Sequence, residues 1–184
     1  MNAGIIASRY AKAFLEYVRE AGTGKEVYSQ ACVLVHLMNE LPQLKAHVEN
    51  PSDISVERKV ALISAALNSS PDDSLVRLLK MVTVRRRMEY FFRILLSFIE
   101  QYRQENNIKV GLIVTASHNE GLCDRLEHIF HDKTGAEVHL EERIDPEMLG
   151  GFVFELEGLR LDASVKGHIE RIRRQLVEKN SRLV

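Results

Sequence analysis

The sequence predicts an α+β protein in two parts: an N-terminal antiparallel bundle of about six helices over residues 1–105, then a small α/β sandwich over residues 106–184. Three observations carry this. Up to about Tyr102 the apolar residues recur at steps of three and four, the spacing of one helix face. After Asn106-Asn107 the step becomes two, with Ile108, Val110, Leu112 and Val114, as in a half-buried strand. The run from Ile144 to Leu176 then packs turn, hairpin and capped-helix signals together.

The first helix should run from about Gly4 to Glu20. Ile6, Tyr10, Phe14 and Tyr17 make one stripe, and Ala7, Ala11, Leu15 and Val18 broaden it. Gly22-Thr23-Gly24 reads as a helix C-cap and turn. Gly24-Lys25 fails as a phosphate loop, because Arg19 and Glu26 stand where Gly and Ser or Thr are needed. The second helix, about Lys25 to Glu40, carries Val27, Ala31, Leu34 and Met38. Pro42 either closes it or opens a short third helix with Leu44 and Val48. Asn50-Pro51 is a break. The fourth helix starts near Ser55. Asn68 to Asp73 is a loop ending in N-cap residues, followed by a fifth helix with Leu75, Leu78, Leu79 and Val82. The sixth holds Met88, Phe91, Leu95, Phe98 and Tyr102, and could continue into the second part of the chain.

The second part opens with the strand from Ile108. Asn119 is a candidate cap for a helix with Leu122, Leu126 and Ile129, ended by Gly135, and Ala136 to Leu140 reads as the next strand. Asp145-Pro146-Glu147 is a turn. Gly150-Gly151 marks a sharp bend or a close backbone approach, though hairpin geometry alone would also account for it. Phe152, Phe154 and Leu156 alternate as a strand, Glu157-Gly158 turns the chain, and Leu159 and Leu161 begin another. Asp162 and Ser164 can accept hydrogen bonds from the first amides of a last helix, whose stripe is Val165, Ile169, Ile172 and Leu176.

This run resembles the C-terminal signature of the delta subunit of F-type ATP synthase, the family of the oligomycin-sensitivity-conferring protein. There an acidic residue precedes a Gly pair, a hydrophobic strand, a turn and Asp-Gly-Ser before a basic amphipathic helix. The matching residues here are Asp145, Gly150, Gly151, Asp162 and Ser164, with Ala163 where Gly is usual. Arg9-Tyr10-Ala11-Lys12-Ala13-Phe14 is a second, weaker match at the front. The resemblance spans nearly the whole chain. It implies a non-catalytic stator subunit of the peripheral stalk that resists rotor torque. The N-terminal bundle would hold N-terminal segments of the alpha subunits of the catalytic head, and the C-terminal domain would hold the b subunits.

Composition fits a soluble globular chain with no targeting segment. Net charge is −1, divided as +2 over residues 1–105 and −3 over 106–184, which gives no global pull toward nucleic acid or anionic lipid. Cys32 and Cys123 are far apart, so a disulfide framework is not expected, and a reducing compartment fits. No run approaches about 20 apolar residues, the length of a membrane span. With the resemblance, this places the protein peripherally on the cytoplasmic face of a bacterial inner membrane.

No cofactor, metal or catalytic set is expected. His128 and His131 are three apart, but Cys123 is off their helical register, and no CxxC or HExxH occurs. Arg85-Arg86-Arg87 reads as a solvated turn at a helix C-terminus, where the macrodipole favours cations. The competing function is an RNA-binding or regulatory helical adaptor using that triplet and the basic last helix. For the head contact, the apolar surplus on helices one and five predicts a groove of Ile6, Ala7, Tyr10, Ala11, Phe14, Leu75, Leu78, Leu79 and Val82. In it, small Ala7 and Ala11 would admit a partner helix and an exposed Tyr10 or Leu78 would fill its seam. The alternative is that these residues are simply core.

Overall fold

A computed structural model describes residues 3–50, 55–117, 121–135, 137–156 and 158–181. Among these are eight α-helices and a four-stranded mixed sheet, an α+β arrangement. The chain divides into two compact units, Met1–Asn106 and Asn107–Val184.

Unit 1 holds α1 (Ala3–Ala21), α2 (Gly24–Glu40), α3 (Pro42–Glu49), α4 (Val56–Leu67), α5 (Asp73–Val84) and α6 (Phe91–Glu105). Pro42 opens α3 at its first turn, where a missing N–H costs nothing. Ser55 caps α4 by accepting from the Arg58 amide at 3.3 Å, and Asp72 caps α5 by accepting from the Ser74 amide at 2.7 Å. Met88, expected within the sixth helix, lies instead in a separate 3-10 turn, Met88–Tyr90. The expected continuation of α6 into the second part does not occur. The helix stops at Glu105, and Asn107 takes a φ of +53°, a left-handed conformation that Asn tolerates and a continuing helix does not. Pro51, the second half of the predicted break after α3, lies outside the described residues.

The core of unit 1 is drawn from residues 7 to 99, with Ala7, Ala11, Phe14 and Val18 of α1 meeting α5 and α6. Phe14 packs on Phe98 with ring centres 4.8 Å apart, and Tyr28 stacks on Tyr102 at 4.7 Å. One cation joins this interior. Lys59 is fully buried, and its Nζ donates to the Val48 carbonyl at 2.7 Å and the Asn50 carbonyl at 3.0 Å. It satisfies carbonyls that the end of α3 leaves without helical partners. Lys59→Met keeps most of the volume and removes the donor. It is expected to destabilise unit 1 by about 2 kcal/mol, the range for a charge-assisted hydrogen bond lost from a buried site. Chemical denaturation checks it, and an unchanged midpoint would show that water replaces the ammonium without cost.

Unit 2 holds β1 (Ile108–Thr115), α7 (Leu122–Thr134), β2 (Glu137–Ile144), β3 (Phe152–Leu156), β4 (Leu159–Asp162) and α8 (Val165–Ser181). The strand order is β2-β1-β3-β4. β1 is parallel to β2, with Ile108 opposite Glu137, and antiparallel to β3, with Ile113 opposite Phe154. A parallel pair needs a long crossover, which α7 supplies. Phe130 of α7 stacks on Phe154 with centroids 4.8 Å apart, and Glu127 accepts from the Leu140 amide at 2.7 Å. β2 runs four residues past the predicted end at Leu140, because β1 pairs with it over its full length. Gly111 suits the centre of the sheet: a Cβ there would lie 2.9 Å from the Glu155 carbonyl and 2.8 Å from the Leu140 side chain. Asn119, the expected cap of α7, lies outside the described residues, as do Ala136 and Glu157. The described N-cap of α7 is Gly121, at φ +74°.

Candidate partner-binding sites

Four of the five signature residues, Gly150, Gly151, Asp162 and Ser164, converge on the start of α8. Asp162 accepts from the Ser164 amide at 2.9 Å and from its hydroxyl at 2.6 Å, and Ser164 Oγ accepts from the Gly167 amide at 3.0 Å. These Ser164 bonds hold the Asp162 carboxyl below the usual carboxylate range. Ser164 is thus the N-cap, bonding the third amide of the helix, and Asp162 braces it. Gly167 leaves room for that carboxylate, which a Cβ would meet at 2.7 Å.

The Gly pair lies over this cap. The Gly150 carbonyl accepts from the Val165 amide at 3.0 Å, and the Phe152 carbonyl from the Ala163 amide at 2.9 Å. Gly151 has φ +82°, and a Cβ built on it would stand 2.3 Å from the Ala163 carbonyl oxygen. Both reasons for a Gly that the sequence offered, a special backbone angle and a close approach, therefore hold at this one residue. Asp145 sits apart, at the end of β2. Its amide donates to the Thr115 carbonyl at 2.8 Å, and its carboxylate accepts from the Glu147 amide at 3.0 Å. The four residues Gly150, Gly151, Asp162 and Ser164 form one joint, and Asp145 closes a different turn. Ala163 does not have positive φ.

Large apolar side chains stay exposed on the two elements that flank this joint. Val165, Ile169 and Ile172 on α8 are 44%, 54% and 46% exposed, and Leu159 and Leu161 on β4 are 74% and 57% exposed. Lys166, Arg171 and Arg173 lie among the α8 residues as exposed cations.

In unit 1 the predicted groove is corrected. Ala7, Ala11, Phe14, Leu75, Leu78, Leu79 and Val82 are all buried by the chain itself, and Leu78, expected to be exposed, is 2% accessible. The broad stripe on α1 exists because α1 lies against α6 above all, and also against α2, α5 and the 3-10 turn at Met88, so several neighbours consume it. Ile6 and Tyr10 alone of the nine reach the surface, each half-buried. The outward seam between α1 and α5 keeps Tyr10 and is otherwise made of other residues. Arg77 donates to the Tyr17 hydroxyl at 3.0 Å and lies over its ring at 5.3 Å. Arg87 does the same to Tyr10, at 3.1 and 5.6 Å. Ala13, Met81 and Val84 are exposed.

Among the described residues no group of three or more His, Cys, Asp or Glu side chains is placed to hold a metal ion. Cys32 and Cys123 are free thiols, and burial with the nearby Glu142, Glu127 and Asp124 pushes the Cys123 thiol up, which disfavours the thiolate needed for ligation or attack. His118 lies outside the described residues. The unit 2 sheet carries a depression of about 550 Å³ near Val110, Leu112 and Leu156. Of its charged lining residues Glu141, Glu155 and Arg160, the last two pair with each other at 3.3 Å. Within the Arg triplet, Arg87 is bound to Tyr10.

A solved structure shares this fold. It is a chain in the cryo-EM structure of the Toxoplasma gondii mitochondrial ATP synthase hexamer, with a TM-score of 0.61 and 19% identity, covering 93% of this chain and 97% of that one. The likeness at that identity is one of fold, and it spans both units. The family model described as ATP synthase delta (OSCP) subunit matches residues 6–176. Proteins called ATP synthase subunit delta in Phocaeicola vulgatus and Bacteroides thetaiotaomicron are 37% and 34% identical, each over all of both chains. One from Prochlorococcus marinus is 29% identical over 91% of this chain and 92% of its own. The chain belongs to the ATP synthase delta (OSCP) subunit family. It is a non-catalytic structural subunit and a component of the peripheral stalk. The RNA-binding alternative finds no support in these relationships. No helix among the described residues is long and apolar enough to cross a membrane.

Proposed function

We propose that the two units are two separate grips. Unit 1, as an antiparallel bundle domain over about residues 1–105, holds N-terminal segments of the alpha subunits through the outer surface of α1 and α5. Unit 2, over 106–184, holds the b subunits through the apolar surface of β4 and α8. The complex lies on the cytoplasmic face of a bacterial inner membrane. The observation that carries this is the amount of apolar side chain left uncovered at two distant places in the sequence. Met81 and Val84 lie at one, and Leu159, Leu161, Ile169 and Ile172 at the other. An apolar patch of this kind marks a site of association. A stator joint needs long-lived contacts, and slow dissociation is where affinity between proteins is set.

The test is affinity capture of the tagged full-length chain from host membranes, followed by two surface variants. Ile169→Asp with Ile172→Asp should lose the b subunits and keep the alpha subunits. Loss of both sets together, with the fold intact, would refute separate grips.

A further inference from the structure

The α1–α5 seam is a cationic clamp with an apolar floor. From Asp73 to Arg87 the sequence has five cations, Arg77, Lys80, Arg85, Arg86 and Arg87, and one acid, Asp73, at the far end. Two of the five are fixed in place. Arg77 and Arg87 each bond and stack on a tyrosine of α1, so their guanidinium groups are already ordered at opposite ends of the seam. The tyrosines are seven residues apart, two helical turns, and Ala13 lies between them on the same side of α1. Met81 follows Arg77 by one turn on α5 and is 42% exposed. A small residue and a flexible thioether thus lie between two Tyr-Arg pairs. Tyr and Arg are the residue types that dominate binding energy at interfaces, and ordered side chains lose less entropy on binding.

We infer that this seam receives an amphipathic helix whose flanks are acidic, with its apolar stripe on Ala13, Met81 and the two tyrosine rings and its carboxylates on Arg77 and Arg87. This deepens the proposed head contact and rests on it for the identity of the partner. It states the charge the partner segment must carry. Guanidinium groups with free donors on an exposed rim choose carboxylate partners by geometry and sign.

The test uses calorimetry of the full-length chain with two synthetic peptides of identical leucine pattern, one flanked by Glu and the other by Lys. The Glu peptide should bind at least tenfold more tightly, and its affinity should fall with added salt. Arg77→Glu with Arg87→Glu should reverse the preference, with helicity unchanged. A reversal is something that a merely structural role for the arginines would not produce. If that double variant fails to fold, Arg77→Gln with Arg87→Gln should weaken the Glu peptide at least fivefold, and the salt dependence of the unaltered chain still bears on the proposal. Equal binding of the two peptides, or salt-independent binding, overturns it. An alpha N-terminal peptide is the third probe. If it binds and ignores the Arg substitutions, the head contact stands and the seam is wrong. If the Glu peptide binds and the alpha peptide does not, the seam stands and the head contact falls.

Discussion

Gly151→Val is expected to unfold unit 2 while leaving unit 1 folded. The added Cβ would lie 2.3 Å from the Ala163 carbonyl oxygen and 2.9 Å from Ser164 Cα, and both are backbone atoms of the turn that caps α8. A side chain could rotate away, but backbone cannot move without breaking the Ala163–Phe152 and Val165–Gly150 hydrogen bonds. A β-branched residue at φ +82° adds its own strain. Together these should cost about 3–5 kcal/mol, at the upper end for a single substitution. Gly158 supplies the control. Its φ is +81°, and a Cβ there meets nothing within 4 Å, so Gly158→Ala pays only for the angle, about 1 kcal/mol. Hydrogen exchange of the β1 and β3 amides reads the difference. Equal protection in Gly151→Ala and Gly158→Ala would mean that the cap can shift and that the close approach is not obligatory.

Ala11→Arg is expected to collapse unit 1. Ala11 is 0% exposed on the face that α1 turns to α5 and α6, so the longer side chain would overpack the core and carry an unpaired charge into it. Buried charges without partners and overpacked interiors are among the few causes of large losses, and about 4 kcal/mol or more is expected here. Thermal melting of the full chain should show the helical signal of α1–α6 lost at a much lower temperature. Retention of the wild-type melting temperature would mean that Ala11 has a path to the surface and that the groove read from sequence exists after all.

The contrast between Ala11 and Gly151 shows what was legible in the chain before folding. Caps were legible at Asp72 and Ser164, because a cap is an interaction among three or four consecutive residues, and Ser55 was legible as the start of a helix. The need for a Gly at 151 was legible too, though not the Ala163 oxygen that enforces it. The α1 stripe was legible as apolar and unreadable as to purpose, since periodicity gives the width of a stripe and not how many neighbours will cover it. The seam itself was hidden. Arg77 meets Tyr17 across 60 positions and Arg87 meets Tyr10 across 77, and no local pattern signals such pairs.

The strand order has a consequence for the order of events at the ribosome. Every residue of the unit 1 core lies between Ala7 and Ile99, so that core can close while the rest of the chain is still being made. β1 follows directly, yet its two partners begin 29 and 44 residues after it starts, at Glu137 and Phe152. The Gly pair then waits for Ala163 and Ser164. At usual synthesis rates the 78 residues after Asn106 occupy roughly 4–16 s. For part of that interval β1 is an unpaired strand with Ile113 and Val114 bare, tethered to a finished neighbour. That interval ends when β2 and β3 have paired with β1 and the loop at Gly150-Gly151 meets the turn before α8.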